Sequence, residues 1–183
     1  MRLFVALPLP DGARRELGQM LDRLRSRDWP VRWVRDDGLH LTLKFFGEVD
    51  PGQVGVISRA LETATQGTPP LPLALTALGA FPTPQRARVL WIGVEAPAAL
   101  ELLADRVERA CLDIGFPVEG KPFHPHITLG RVREGGRLAA GALRDGGLPP
   151  LGTAFQAEEV VLFESRTGRE GATHTRLFTC TLQ

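Results

Sequence analysis

At 183 residues, with 43% hydrophobic side chains and a mean hydropathy of -0.04, the chain has an ordinary soluble globular make-up and length enough for one large domain or two small lobes. Its 22 basic and 21 acidic residues leave a formal charge of +1, which argues against broad electrostatic coating of duplex nucleic acid, though not against a few arginines grasping one nucleotide or RNA end. Cys111 and Cys180 lack metal-knuckle spacing, and the apolar start from Met1 to Leu9 is broken by Pro8; a reduced, cytoplasmic protein without signal peptide or membrane span is expected.

In chain order, Arg2 to Leu7 reads as a buried strand ended by Pro8. Asp11 is a candidate N-cap for a helix in which Leu17, Met20, Leu21 and Leu24 recur at helical spacing. Val31 to Val34 and Leu39 to Phe46 read as strands around an Asp36-Asp37-Gly38 turn. A helix after Pro51 turns Val54, Ile57, Leu61 and Ala64 inward, and Leu71 to Leu78 returns as a strand. The order then restarts: Val89 to Val94 as strand, and Ala98 to Ile114 as helix with Leu102, Leu103, Val107 and Ala110 inward. A short strand at Val118 and one over Ile127 to Val132 follow. Phe155 to Phe163 and Thr175 to Leu182 close the chain as strands, with loops at Gly67 to Pro72, Gly79 to Pro84 and Gly135 to Pro150.

His40-Leu41-Thr42-Leu43 recurs as His126-Ile127-Thr128-Leu129, 86 residues later. The same shift lays the first strand on Val89 to Val94, Leu17 on Leu103 and Leu21 on Val107. It also places Arg137 to Leu143 where the Pro51 helix was. A single domain over residues 1–183 is expected, with an α+β, bilobal, pseudo-twofold duplicated fold. Two antiparallel sheets would face a central cleft, helices outside, in lobes of about residues 1–80 and 86–183 between which strands could be exchanged.

In a strand, residues two apart share a face, so each histidine points with its threonine while the intervening residues enter the core. Two imidazoles titrating near neutrality supply a base and an acid, and a threonine hydroxyl can hold a phosphate oxygen. This is equipment for phosphodiester cleavage without a metal, and it needs electropositive help for the transition state. Arg131 lies on the opposite face if the strand alternates strictly; a bulge near Gly130 would turn it in. By the same parity the cleft-facing member of Phe45 and Phe46 is Phe46. The His124-Pro125-His126 spacing could ligate a metal with His40 or His174, yet no acidic or cysteine ligand stands at a convincing spacing, so no metal and no cofactor is expected. Arg131 has a competing partner in Glu134; Arg86 and Arg88 read as solvated; Trp33 and Trp91 read as core and Trp29 as packing at a helix end.

The chain resembles the two-histidine (2H) phosphoesterase superfamily, and within it the bacterial and archaeal RNA 2',3'-cyclic phosphodiesterase branch, historically called 2'-5' RNA ligase. The resemblance is carried by Arg2 to Leu7, Leu39 to Phe45, Val89-Leu90-Trp91 and Lys121 to Arg131, in order across nearly the whole chain. It implies hydrolysis of 2',3'-cyclic phosphate ends to 2'-phosphates, with His40 as proton donor and His126 as proton acceptor. It further implies Thr42 and Thr128 as phosphate clamps, Arg131 at the family's arginine, Phe123 bordering the nucleotide, and a reverse 2'-5' joining reaction. The substrate would be RNA with a cyclic end or a cyclic nucleotide, with no membrane and no obligate protein partner. Near the C-terminus His174 stands where members often carry tyrosine, and this chain has no tyrosine. Two other readings stay open: a 2H phosphodiesterase for another nucleotide, and an RNA-end binding module without turnover.

Overall fold

The computed structural model describes residues 1–143, 152–168 and 171–183. Strand β1 (Arg2–Pro8) leads to helix α1 (Asp11–Arg25), the short β2 (Val31–Trp33) and β3 (His40–Glu48). Helix α2 (Val54–Thr65) and β4 (Leu71–Phe81) complete the first half. Strand β5 (Val89–Glu95), α3 (Ala98–Asp113), β6 (His126–Val132), β7 (Ala154–Ala157), β8 (Glu159–Gly168) and β9 (Gly171–Thr181) make up the second.

The helices follow their apolar spacing. Leu17, Met20, Leu21 and Leu24 bury one face of α1, and Ile57, Leu61 and Ala64 one face of α2. On α3 the buried face is Leu100, Leu103, Ala104, Val107 and Cys111; Leu102, expected inward, is 63% exposed because it lies off that stripe. Asp11 is the first helical residue, behind Pro10 as the cap. No strand forms at Val118, and residues 140–143 form turns rather than a helix matching α2. The part of the expected 135–150 loop from residue 144 onward lies outside the described residues.

The strands form one nine-stranded sheet in the order β7-β4-β5-β6-β3-β1-β8-β9, with β2 added to β6, and every pairing is antiparallel. Its two halves meet at one residue pair, Leu41 with Ile127. Those residues are equivalents in the duplication, so the pseudo-twofold axis runs through that seam. Past it β6 exchanges β3 for β2, which pairs with Gly130, Arg131 and Val132. The two halves diverge there and open a cleft.

Each half of the chain lends strands to the other lobe. β4 pairs with β5, and β8 and β9 extend the sheet beyond β1. The stretch read as one strand over Phe155 to Phe163 is therefore two: β7 pairs with β4 in one lobe, and β8 with β1 in the other. The main core lies between sheet and helices, where Leu3, Val5, Leu7, Leu41, Leu43, Ile127 and Leu129 meet the helices' apolar faces. Each such fully buried aliphatic side chain contributes about 1.5–3 kcal/mol. A separate buried cluster of Phe4, Ala6, Val161 and Phe163 lies on the opposite face of β1 and β8.

Candidate active site

The Leu41–Ile127 pair sets the geometry. With those two side chains in the core, His40 and Thr42 face the cleft from β3, and His126 and Thr128 face it from β6. In the register of that pair His40 lies opposite Thr128, and Thr42 opposite His126. All four side chains are partly buried.

Both histidines are held by the same device. His40 Nδ1 lies 2.7 Å from the carbonyl oxygen of Gly38, and His126 Nδ1 lies 2.6 Å from that of His124. A carbonyl only accepts, so each Nδ1 carries the hydrogen and each Nε2 lone pair remains for chemistry.

Their surroundings differ. The His40 ring stacks on Phe4 at 4.6 Å, Phe4 stacks on Phe163 at 5.2 Å, and His174 stands edge-on to His40 at 5.2 Å. Burial pushes His40 down to about 4, with help from the neighbouring charges of His174 and His126; the Gly38 bond opposes the shift. His126 meets the edges of Phe81 at 5.0 Å and Trp91 at 6.2 Å. Burial lowers it as well, against the pull of its bond to His124. His174 is also lowered by burial, offset by the carboxylate of Asp37, and its Nδ1 is buried without a protein partner.

Matched bulges shape the strands beyond the histidines. On β3 the register against β1 shifts between Ala6–Thr42 and Val5–Lys44, so Leu43 and Lys44 both enter the core side. Strict alternation is lost. Phe45, not Phe46, turns to the cleft face, where it is 57% exposed and 6.0 Å from Phe4; Phe46 packs against Phe116. The bulge is pinned from below by Lys44 Nζ, which donates to Glu108 Oε2 at 2.7 Å and to the Pro117 carbonyl at 2.8 Å. Glu119 pins it from the side, accepting from the Phe45 amide at 3.0 Å.

On β6 the register against β5 shifts between Trp91–Thr128 and Leu90–Gly130, so Leu129 and Gly130 are both buried. This bulge turns Arg131 onto the cleft face, exposed and without an ion pair to Glu134 or any other described residue. Gly130 is required there, because a Cβ would sit 2.6 Å from Val31 Cγ1.

Phe123 is partly buried against the main core. Trp91, expected in the core, lines the cleft, since its partner Thr128 shares its face; Gly79 leaves room for the indole, whose Nε1 is buried without a protein partner. Trp33 is partly buried against the core, as is Trp29, which also holds Arg27 over its ring at 5.6 Å. Among the described residues no three His, Cys, Asp or Glu side chains gather as a metal site. Sequence reasoning missed Phe4, Phe81, Phe163 and Glu119. The first of these had a signal: β1 is apolar on both faces, which requires a second surface to cover.

The comparisons with known proteins parallel this geometry. The family described as LigT like Phosphoesterase matches twice, over residues 7–91 and 92–174, one match to each half of the duplication. A Methanothermobacter thermautotrophicus protein named RNA 2',3'-cyclic phosphodiesterase is 35% identical, with 73% of this chain and 72% of that protein covered. One of the same name from Aeropyrum pernix is 33% identical, covering 88% and 92%. A Geobacillus stearothermophilus relative of that name is 35% identical over 88% of this chain, which spans only 51% of its length. Among solved structures, TT0787 of Thermus thermophilus superposes with a TM-score of 0.84 at 27% identity, covering 100% and 98% of the two chains. E. coli LigT complexed with 3'-AMP superposes with a TM-score of 0.81 at 29% identity, covering 99% and 97%. With two family matches spanning the duplicated halves and the fold shared end to end, the chain belongs to the LigT-like, two-histidine phosphoesterase family.

Proposed function

We propose that the protein hydrolyses 2',3'-cyclic phosphate ends of RNA to 2'-phosphates, without a metal, through His40 and His126. The observation that carries this reading is the pair of identically anchored imidazoles, each with Nε2 free and a threonine beside it on one cleft face. The names of the archaeal relatives point to the same substrate.

His126 Nε2 takes a proton from water as the oxygen forms its bond to phosphorus. The bond from phosphorus to the 3' oxygen breaks, and His40 Nε2 delivers a proton to that oxygen. Thr42 and Thr128 hold the non-bridging oxygens, Arg131 adds positive charge on their side of the cleft, and Phe123 borders the nucleotide. On its own His40 is neutral near pH 7, with its proton affinity pushed down to about 4 by burial. The negative phosphodiester must therefore raise it: an anion beside the imidazole favours the protonated form, so binding loads the acid. With a 5'-hydroxyl in place of water as the nucleophile, the same steps join a cyclic end to that hydroxyl as a 2'-5' linkage, the 3' oxygen again leaving with a proton from His40.

The test is hydrolysis of 2',3'-cyclic AMP and of a short RNA with a cyclic end, in EDTA, with the product isomer identified. A 2'-phosphate is expected, with turnover lowered about 10² to 10⁴-fold in His40→Ala and in His126→Ala. Tight binding of the RNA end with no turnover would establish a binding module instead, and a 3'-phosphate product would reverse which oxygen leaves.

A further inference from the structure

We infer that His174 is a positioning residue for the acid His40: it braces that ring from the β8–β9 ribbon and competes with it for a proton. This rests on the hydrolase reading above and names the group that decides when the acid of that site can be loaded.

The chain has four histidines, and the reaction described above uses His40 and His126. The other two lie beside them. His124 stacks with His126 at 6.1 Å, and His174 meets His40 edge-on at 5.2 Å. By the 86-residue shift the equivalent of His124 is Gly38, which has no side chain to offer. His174 takes that side from β9: a Cβ on Gly38 would sit 3.6 Å from its Cδ2 and 3.7 Å from its Nε2. Gly38 thus serves both rings, its carbonyl accepting from His40 Nδ1 and its bare α-carbon seating His174. His174 also stands edge-on to Phe4 at 4.9 Å, so it abuts both members of the Phe4–His40 stack. Held at Nδ1 and braced by two rings, His40 keeps one direction for its Nε2.

Two desolvated imidazoles this close titrate as a pair, and each charge opposes the other. Burial lowers His174 less than it lowers His40, and the Asp37 carboxylate offsets the shift. The first proton of the pair therefore goes to His174, and His40 is protonated against that charge. The other charged groups nearby are engaged. Arg35 holds Asp37 at 3.1 Å, and Arg176, two residues along β9, pairs with Glu159 at 2.7 Å. Arg166, next to the register partner Ser165, pairs with Glu164 at 3.1 Å. His126 opposes the charging of His40 in the same sense as His174. An anionic phosphodiester compensates the second charge, and a proton held in that way is readily given up to the departing 3' oxygen. A tyrosine in this place, neutral below about pH 10, would brace the ring and leave the proton uncontested.

The experiment compares wild type with His174→Phe, His174→Tyr, His174→Ala and, as a control, His124→Phe. It reads the titration of the His40 ring by NMR in the free protein, and kcat and KM against pH on 2',3'-cyclic AMP. His174→Phe and His174→Tyr should raise the His40 midpoint by about half a pH unit or more, the effect of one charge about 5 Å away in well-hydrated surroundings. The alkaline limb of kcat, where the complex loses the proton of its acid, should move up with it. Both variants should keep kcat within about threefold of wild type because a ring still braces His40. His174→Ala should lower kcat about tenfold with KM within about twofold. His124→Phe should leave the His40 midpoint in place. An unmoved midpoint and limb in His174→Phe, or an equal shift in His124→Phe, overturns the inference. So does a loss carried by KM alone in His174→Ala, which would make His174 a nucleotide contact. A His40 midpoint that rises in His174→Phe, with no turnover of the cyclic nucleotide by wild type, sinks the hydrolase reading and supports the competition between the two rings.

Discussion

Loss of stability in acid should be traceable to His40. In the folded protein burial holds its ring down to about 4, against an ordinary value of 6.5 in the unfolded chain. Because the folded value is the lower one, the unfolded state binds the extra proton first. Stability is then fully present above the unfolded value and is lost as pH falls toward the folded value. Each pH unit between the two values is worth about 1.36 kcal/mol, so this one ring is expected to cost about 2 kcal/mol at about pH 5 and about 3 kcal/mol at about pH 4. His126 and His174, both lowered by burial, add to it in the same direction. Urea denaturation of wild type and His40→Ala between about pH 7 and 4 isolates the His40 share. The variant should be within about 1 kcal/mol of wild type at pH 7, because the ring lies outside the aliphatic core between sheet and helices, and should gain on it steadily below about pH 6. Parallel stability curves for the two proteins would refute the reasoning, since a ring kept neutral by its surroundings cannot be removed without flattening the acid limb.

Gly130→Ala should cost about 1–3 kcal/mol in a urea midpoint measurement, because the new Cβ meets Val31 Cγ1 at 2.6 Å and the Arg32 carbonyl at 3.0 Å; an unchanged midpoint would show that the bulge yields freely. Lys44→Ala should cost about 3 kcal/mol or more by the same assay, leaving the Glu108 carboxylate without its cation, and Lys44→Met with Glu108→Gln should recover most of it. A double variant no better than Lys44→Ala would assign the loss to packing rather than to the stranded charge.

The local parts of this architecture were readable because they are periodic. Leu17, Met20, Leu21 and Leu24 mark one helical face, and the alternation around Ile127 places His126 and Thr128 together. Duplication added what one motif lacks, since two His-x-Thr strands at matched positions imply two facing imidazoles. What stayed hidden depends on contacts distant in sequence. Phe45 reaches the cleft because a bulge, held by Glu108 on α3 and by Glu119, breaks the alternation, and nothing between His40 and Glu48 announces it. The division of Phe155 to Phe163 into two strands follows from which strand each part finds, Leu73 for Phe155 and Phe4 for Phe163. Trp91 looked like core because an apolar ring gives no sign of which face its strand presents, and its partner Thr128 decides that.

The duplicated frame makes the two histidines alike, and divergence around them sets them apart. Each imidazole is oriented by the carbonyl two residues before it, so the backbone supplies two rings with the same tautomer. Burial lowers the proton affinity of both, and of His40 the more, so on the proposed reading His40 becomes the acid only when an anionic substrate raises it. The lobes differ in what surrounds each ring. His40 lies deep on Phe4 beside His174, and its affinity drops the further; His126 meets Phe81 and Trp91 at their edges. The equivalent bulges present Phe45 on one side and Arg131 on the other, so an aromatic face opposes a guanidinium across the same axis. On the proposed reading, the symmetric part of the fold would set where a phosphate is held, and the asymmetric side chains, Phe45 against Arg131, would set which way the rest of a nucleotide points.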